Sequence, residues 1–349
     1  MLKGCYSFSQ LSTGDEMKKY SHAWLSLKAV ELLKSFQGQF SSDRNKTLKR
    51  FLSFISKYPN TFVRGAWFPD TVIKDNTQGG HTWKYYLDPI NGKQEKRRPP
   101  SHNHCLGFVK DQLTQKISLD IRISDLPDRC EALSQMIRDS VLITNKTKSG
   151  DVVAFNDSQI ALFFLMLSHY VCDAHVPVHC DNRDFYTPSK IHPDLEGYWE
   201  KEVKKYYVVS TKMEQFDLSA EGSLQLRYGK TEHKQSMLGE CDRLLGASKW
   251  DNMQRARNHW SDFLGKGNKN IWDYLVSVCS VSFQMSLLMF PIDPPSGVDY
   301  STVRIMKESP FNNTVVKYSP FILADAINSV ALLWLASWER WELLAKGIK

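Results

Sequence analysis

Residues 157–196 read DSQIALFFLMLSHYVCDAHVPVHCDNRDFYTPSKIHPDLE. Every residue from Ile160 to Leu167 is apolar. A helix that is apolar on all sides belongs at the centre of a protein. Asp157 or Ser158 offers a cap for its start, and Pro177 ends or kinks it. The same helix carries His169 and Asp173, four residues apart and therefore on one face. His179 follows just beyond the proline. His192 and Glu196 repeat the four-residue spacing on a further helix that continues through WEKEVKKYYVV. Imidazole plus carboxylate, without thiolate, is the donor set of a catalytic zinc that keeps one position open for water. Five such side chains in this pattern predict more than one ion.

Outward from this segment, helical periodicity dominates and strand signals are few. Ser21 offers a cap for a helix through HAWLSLKAVELLKSF, and SDRNKTLKRFLSFISKY predicts a second helix ending before Pro59. LPDRCEALSQMIRDSVLITN fits another, and three more are expected around Asn252–Gly265, Asn270–Met289 and Pro320–Lys346. RGAWFPDTVIKDN reads as an ordered loop or short helix, and LDPINGKQEKRRPPSHNH as an exposed loop. The polar stretch from about Ser210 to Lys249 reads as an insertion. The expected organisation is one all-α domain over residues 1–349, with residues 1–20 as an N-terminal extension.

The chain has 349 residues, 42% hydrophobic and 24% charged, enough for a large core and too apolar for a disordered chain. A formal net charge of +7 and a pI near 8.9 favour an anionic partner, although solubility alone accounts for them equally well. The seven cysteines form no CxxC pair, which signals neither a thiolate zinc site nor a disulfide framework. Cys172 and Cys180 neighbour the ligand candidates and read as small buried residues. The run from Tyr274 to Ile292 is interrupted by Ser, Cys and Gln, so a buried helix is expected and no transmembrane segment. Trp334, Trp338 and Trp341 have helical spacing and read as core. The opening MLKGCYSFSQLSTGDEMKK lacks the apolar centre of a signal peptide. That predicts a cytoplasmic protein, or a secreted one if a leader has been removed.

Three upstream residues extend the ligand set: His22 in SHAW, Asp70 in GAWFPD and His81 in HTWKYYLDP. With them the sequence resembles the superfamily of zinc-dependent phospholipases C and single-strand (3′-) nucleases. The shared pattern is His, Asp, His, then His-x3-Asp-x5-His, then His-x3-Glu or His-x3-Asp. Here it runs His22, Asp70, His81, His169, Asp173, His179, His192 and Glu196, about half of the chain by position. The resemblance implies a multi-helix bundle with a buried zinc cluster. It implies that Asp70, His81, His169 and Asp173 hold one zinc, and that His179, His192 and Glu196 hold a second. A third would be shared by Asp173 and His22 and completed by an N-terminal Trp. No Trp precedes His22 in this chain, so Asp15 or Glu16 would have to substitute, or the N-terminus be trimmed, or the count be two.

Clustered zinc ions suit phosphodiester hydrolysis, because they lower the pKa of water, polarise phosphoryl oxygens and help the leaving group. Asp70 and Asp173 are the catalytic candidates, Asp70 as ligand, general base or both, and Asp173 as bridge. The His-x3-Glu form and HTWKYYLDP point to the phospholipase side, with a phospholipid or similar anionic phosphodiester as substrate. The alternative is a single-strand nuclease. Its phosphate tracking and base stacking would use the basic balance and Trp67, Phe68, Trp83, Tyr85 and Tyr86, residues that would equally line an acyl or choline pocket. A third possibility is a non-catalytic helical protein that zinc only stabilises. His102 and His104 read as exposed loop residues. His175 lies on another helix face, and Asp184, Asp194 and Glu200 read as solvated or supporting residues.

Overall fold

The computed structural model describes residues 19–59, 65–73, the segments 85–87, 94–96, 106–110 and 117–121, residues 126–146, and 156–347 except 182, 184, 186–188, 211–214, 217, 219–223, 230–232, 252, 254–270 and 309. The protein is all-α in class. In chain order the α-helices among the described residues are α1 (Lys19–Ser35), α2 (Ser42–Ile55), α3 (Leu126–Lys146), α4 (Asp157–His175), α5 (Ile191–Tyr206), α6 (Met237–Gly246), α7 (Ile271–Met289) and α8 (Phe311–Gly347). Among the described residues, strands occur only as antiparallel pairs: β1 (Tyr85–Leu87) with β2 (Gln94–Lys96), β3 (Leu106–Lys110) with β4 (Ile117–Ile121), and β5 (Val209–Ser210) with β6 (Gln215–Phe216). β2 and the end of β1 lie in LDPINGKQEKRRPPSHNH, a stretch expected to be loop, and β3 and β4 lie just beyond it. Polar, Gly- and Pro-containing stretches mark turns, and a turn can join two short strands as readily as it forms a free loop.

α4 is the central helix that its apolar run predicts. No residue between Ile160 and His175 is exposed, and α1, α3, α7 and α8 all pack against it. Its cap is neither Asp157 nor Ser158. Asn156 takes that place: its side chain accepts from the Gln159 N–H at 2.9 Å, and the Gln159 side chain accepts from the Asn156 N–H at 3.1 Å. This reciprocal box satisfies two groups where a cap at Asp157 would satisfy one. Pro177 stops the helix as expected, and a 3₁₀ turn, Pro177–His179, follows.

α8 contacts α1, α2, α3, α4, α6 and α7. It starts at Phe311 and runs through Pro320 instead of beginning there. Ser319 occupies the turn beside that proline: its hydroxyl donates to the Val315 carbonyl at 2.6 Å and accepts from Trp199 Nε1 of α5 at 2.8 Å. The proline removes the hydrogen bond to the Val316 carbonyl, and the Trp199–Ser319 contact ties this turn to α5. Trp334 and Trp338 are buried, as their spacing predicts, and Trp334 Nε1 donates to the Phe164 carbonyl of α4 at 2.7 Å. α8 is long and apolar enough to cross a membrane, but 78% of its apolar window is buried inside the protein.

Two further expectations meet the structure differently. α1 begins at Lys19, ahead of Ser21, and Ser21 bonds to another helix instead of capping its own. The 210–249 stretch contains α6, and its Leu224, Leu226, Leu238 and Cys241 are buried in the core. Apart from Met253, the predicted helix Asn252–Gly265 lies outside the described residues, as do the N-terminal residues 1–18.

Candidate metal centre

Five separate pieces of chain bring carboxylates and imidazoles to one place. α1 carries His22. The segment before the π turn Pro69–Ile73 packs on α4, and the turn presents Asp70. α4 carries His169 and Asp173, the 3₁₀ turn carries His179, and α5 carries His192 and Glu196. Gly65 makes the approach of the Asp70 segment possible, since a Cβ there would sit 2.8 Å from the Leu165 Cβ. The next residue, Ala66, offers its carbonyl to His169 Nδ1 at 2.6 Å. That bond fixes the proton on Nδ1 and leaves the Nε2 lone pair pointing into the centre.

The donors fall into two groups. One ligand atom from each of His22, Asp70 and His169 lies within 4.8 Å of the other two, and the same holds for His179, His192 and Glu196. Asp173 stands between them. Its Oδ2 is 3.3 Å from His169 Nε2, and its Oδ1 is 3.5 Å from His22 Nε2 and 3.6 Å from His179 Nδ1. Asp70 Oδ1 is 3.4 Å from His169 Nε2. In the second group Nε2 of His179 and Nε2 of His192 are 2.9 Å apart, and Glu196 Oε1 is 3.3 Å and 2.9 Å from them. The rings of His22 and His169 stack with centroids 4.0 Å apart.

This arrangement fits a metal. Tetrahedral zinc with Zn–N near 2.0–2.1 Å holds its donors roughly 3.3 Å apart, close to the edges of the second group. Asp173 and His179 are fully covered, and three carboxylates gathered in a dry interior require positive charge beside them. Nδ1 of His22 and Nδ1 of His179 are buried with no hydrogen-bond partner among the described residues. Burial, followed by the neighbouring His169, lowers the His22 pKa to about 4, so its imidazole is neutral and able to donate a lone pair at neutral pH. Burial opposes charge on His169 as well, but Asp70 and Asp173 outweigh it and hold the pKa well above the ordinary value. A proton on that ring or a metal cation answers the same demand. Burial works against the Glu196 carboxylate too, and His192 and His179 overcome it and keep it ionised.

His81, Asp15 and Glu16 lie outside the described residues, as do His102, His104 and Asp184. Cys172 and Cys180 are buried and belong to neither group, as expected. Asp194 pairs with Arg304 at 2.7 Å. His175 bonds through Nε2 to Ser329 Oγ at 2.8 Å, away from the ligands. Sequence reasoning missed the Ala66 carbonyl, which leaves no trace in side-chain chemistry, and the role of Glu200. The signal for Glu200 was its position, four residues past Glu196 on the same face of α5.

No family model and no curated protein matches the sequence. Among solved structures, the chain is similar to the alpha-toxin of Clostridium perfringens from avian strain SWCP, with a TM-score of 0.49 and 11% identity over 96% of this chain and 66% of that one. It is also similar to the alpha toxin of Clostridium absonum, with a TM-score of 0.47 and 13% identity over 93% of this chain and 65% of that one. The chain thus spans less than two thirds of the length of either. What it does is read from its own residues.

Proposed function

We propose that the protein is a zinc-dependent phosphodiester hydrolase of the phospholipase C kind. One observation carries this: the Asp173 carboxylate faces His169 and His22 with one group of donors and His179 with the other, at 3.3–3.6 Å. Asp70, His169 and Asp173, with His81, would hold one ion. His179, His192 and Glu196 would hold a second, and Asp173 and His22 a third if another donor completes it. Zinc bound there supplies Lewis acidity toward the phosphoryl group and acidifies water.

The chain's own residues do the rest. Asp70 accepts the proton of the attacking water, a role for which a carboxylate beside the reacting centre is suited. The Ala66 carbonyl keeps His169 in one tautomer. The Lys19 ammonium sits 4.2 Å from the centroid of the Trp67 ring, three residues from Asp70, and contributes positive charge for an anionic substrate. The packed helices around Asp173 keep bulk water from the buried side of the centre.

The test is hydrolysis of phosphatidylcholine vesicles, a single-stranded oligonucleotide and a chromogenic phosphodiester, each before chelation, after it and after zinc is restored. Phosphatidylcholine turnover lost with chelation and regained with zinc is expected. No hydrolysis of any of the three by the zinc-loaded protein would overturn the proposal. The net charge of +7 suits a nucleic acid as well as an anionic lipid. Preferential cleavage of the oligonucleotide, with affinity falling steeply as salt rises, would select the nuclease alternative.

A further inference from the structure

His192, Glu196 and Glu200 succeed one another at four-residue intervals on α5 and share one face. The first two turn toward the metal centre. Glu200 reaches instead to the start of α1. Its Oε2 accepts from the Ser21 N–H at 2.9 Å and from the Ser21 hydroxyl at 2.8 Å. Its Oε1 pairs with Lys204 Nζ at 3.0 Å. Glu200 and Ser21 are 5% and 6% exposed.

The first four N–H groups of a helix have no partner within it, and Ser21, the third residue of α1, supplies one of them. A carboxylate at that end also meets the positive pole of the helix dipole. A buried carboxylate is costly unless hydrogen-bonded, so the contact favours one placement of α1 against α5. The residue after Ser21 is His22. On its other side, the Ser26 hydroxyl donates to the His22 carbonyl at 3.0 Å and lies 2.8 Å from the Ser168 hydroxyl, next to His169. α1 is therefore pinned to α5 just before His22 and to α4 one turn after it.

From this geometry we infer that Glu200 is a positioning residue for His22. It acts on the centre through Ser21, and it sets the placement in which His22 Nε2 faces Asp173 at 3.5 Å. The inference rests on the zinc proposal and adds a residue outside the ligand set.

The experiment is zinc titration of the full chain after chelation, by competition with a chromogenic chelator. It compares wild type, Glu200→Ala, Ser21→Ala, His22→Ala and the Glu200→Ala/His22→Ala double variant. If wild type takes up no zinc, the zinc proposal itself fails, and this inference with it. Given wild-type binding, Glu200→Ala should weaken the zinc that His22→Ala also weakens by about 10–100-fold, the usual loss when a partner of a metal ligand is removed. Zinc held without His22 should be unchanged. Ser21→Ala should shift the same ion in the same direction by less. In the His22→Ala background, Glu200→Ala should produce no further change, because both act through one contact. Unchanged zinc affinity in Glu200→Ala, or an equal loss with and without His22, would overturn the inference. If Glu200→Ala does not fold, Ser21→Ala decides, and unchanged affinity in that variant overturns it.

Discussion

Asp173 is the side chain through which the two donor groups meet, and it is completely buried. Asp173→Asn keeps the shape and removes the charge. The chain should fold, retain fewer zinc ions and lose at least about a hundredfold in phosphodiesterase activity, since several kcal/mol of transition-state stabilisation would leave with the ions. Circular dichroism beside a rate assay checks this; full activity in a folded variant would refute the bridging role. His175, two residues on, gives a pH test independent of zinc. Burial lowers its pKa from 6.5 to about 3. Its ring therefore stays neutral in the folded chain while the unfolded chain protonates it, so stability is lost as pH falls from about 6.5 toward 3. Between pH 6 and 4, unfolding of the chelated wild type should lose on the order of 1.4 kcal/mol per pH unit relative to His175→Gln. Parallel pH profiles would contradict it. The side chains that gather here stood out in the sequence because imidazoles and carboxylates recur in it at helical spacing. His175 has the right chemistry as well, and only its angular position on α4 set it aside.

Elements decide whether those donors meet. The Asp70 segment reaches α4 because Gly65 has no side chain. Gly65→Ala should push the segment off Leu165, stretch the Ala66–His169 bond and lower the affinity of the His169-side ion by about tenfold or more. Zinc competition measures this, and wild-type affinity in that variant would show that the close approach is dispensable. Asn156→Ala removes the cap of α4 and should cost about 1 kcal/mol in denaturant unfolding with zinc content unchanged. An unshifted midpoint would count against the capping box. Most helices were legible from periodicity, whereas α6, inside the stretch read as an insertion, was not. Helix starts were not legible either, since those are fixed by partners far along the chain: Glu200 takes Ser21, and Trp199 supports the turn at Pro320 through Ser319. The paired strands were hidden for the opposite reason, because a segment of two to five residues is too short to carry a periodic signal.

At the scale of the whole molecule, the bundle buries its donors by surrounding α4 with helices and resting α8 against most of the others. Helices distant in sequence then present one centre, as the four-residue spacings alone could suggest but not arrange. Salt should separate substrates at this scale. A polyanion bound along a basic surface loses affinity steeply between low and moderate salt, whereas a lipid headgroup engaged at the buried centre should respond weakly. The most direct test of the account is the zinc content of the full chain, purified without chelator and dialysed, by atomic emission. Two or more zinc ions per chain are predicted for the wild type, with loss of at least one in Asp173→Asn. Fewer than two in the wild type would contradict a centre built from two donor groups.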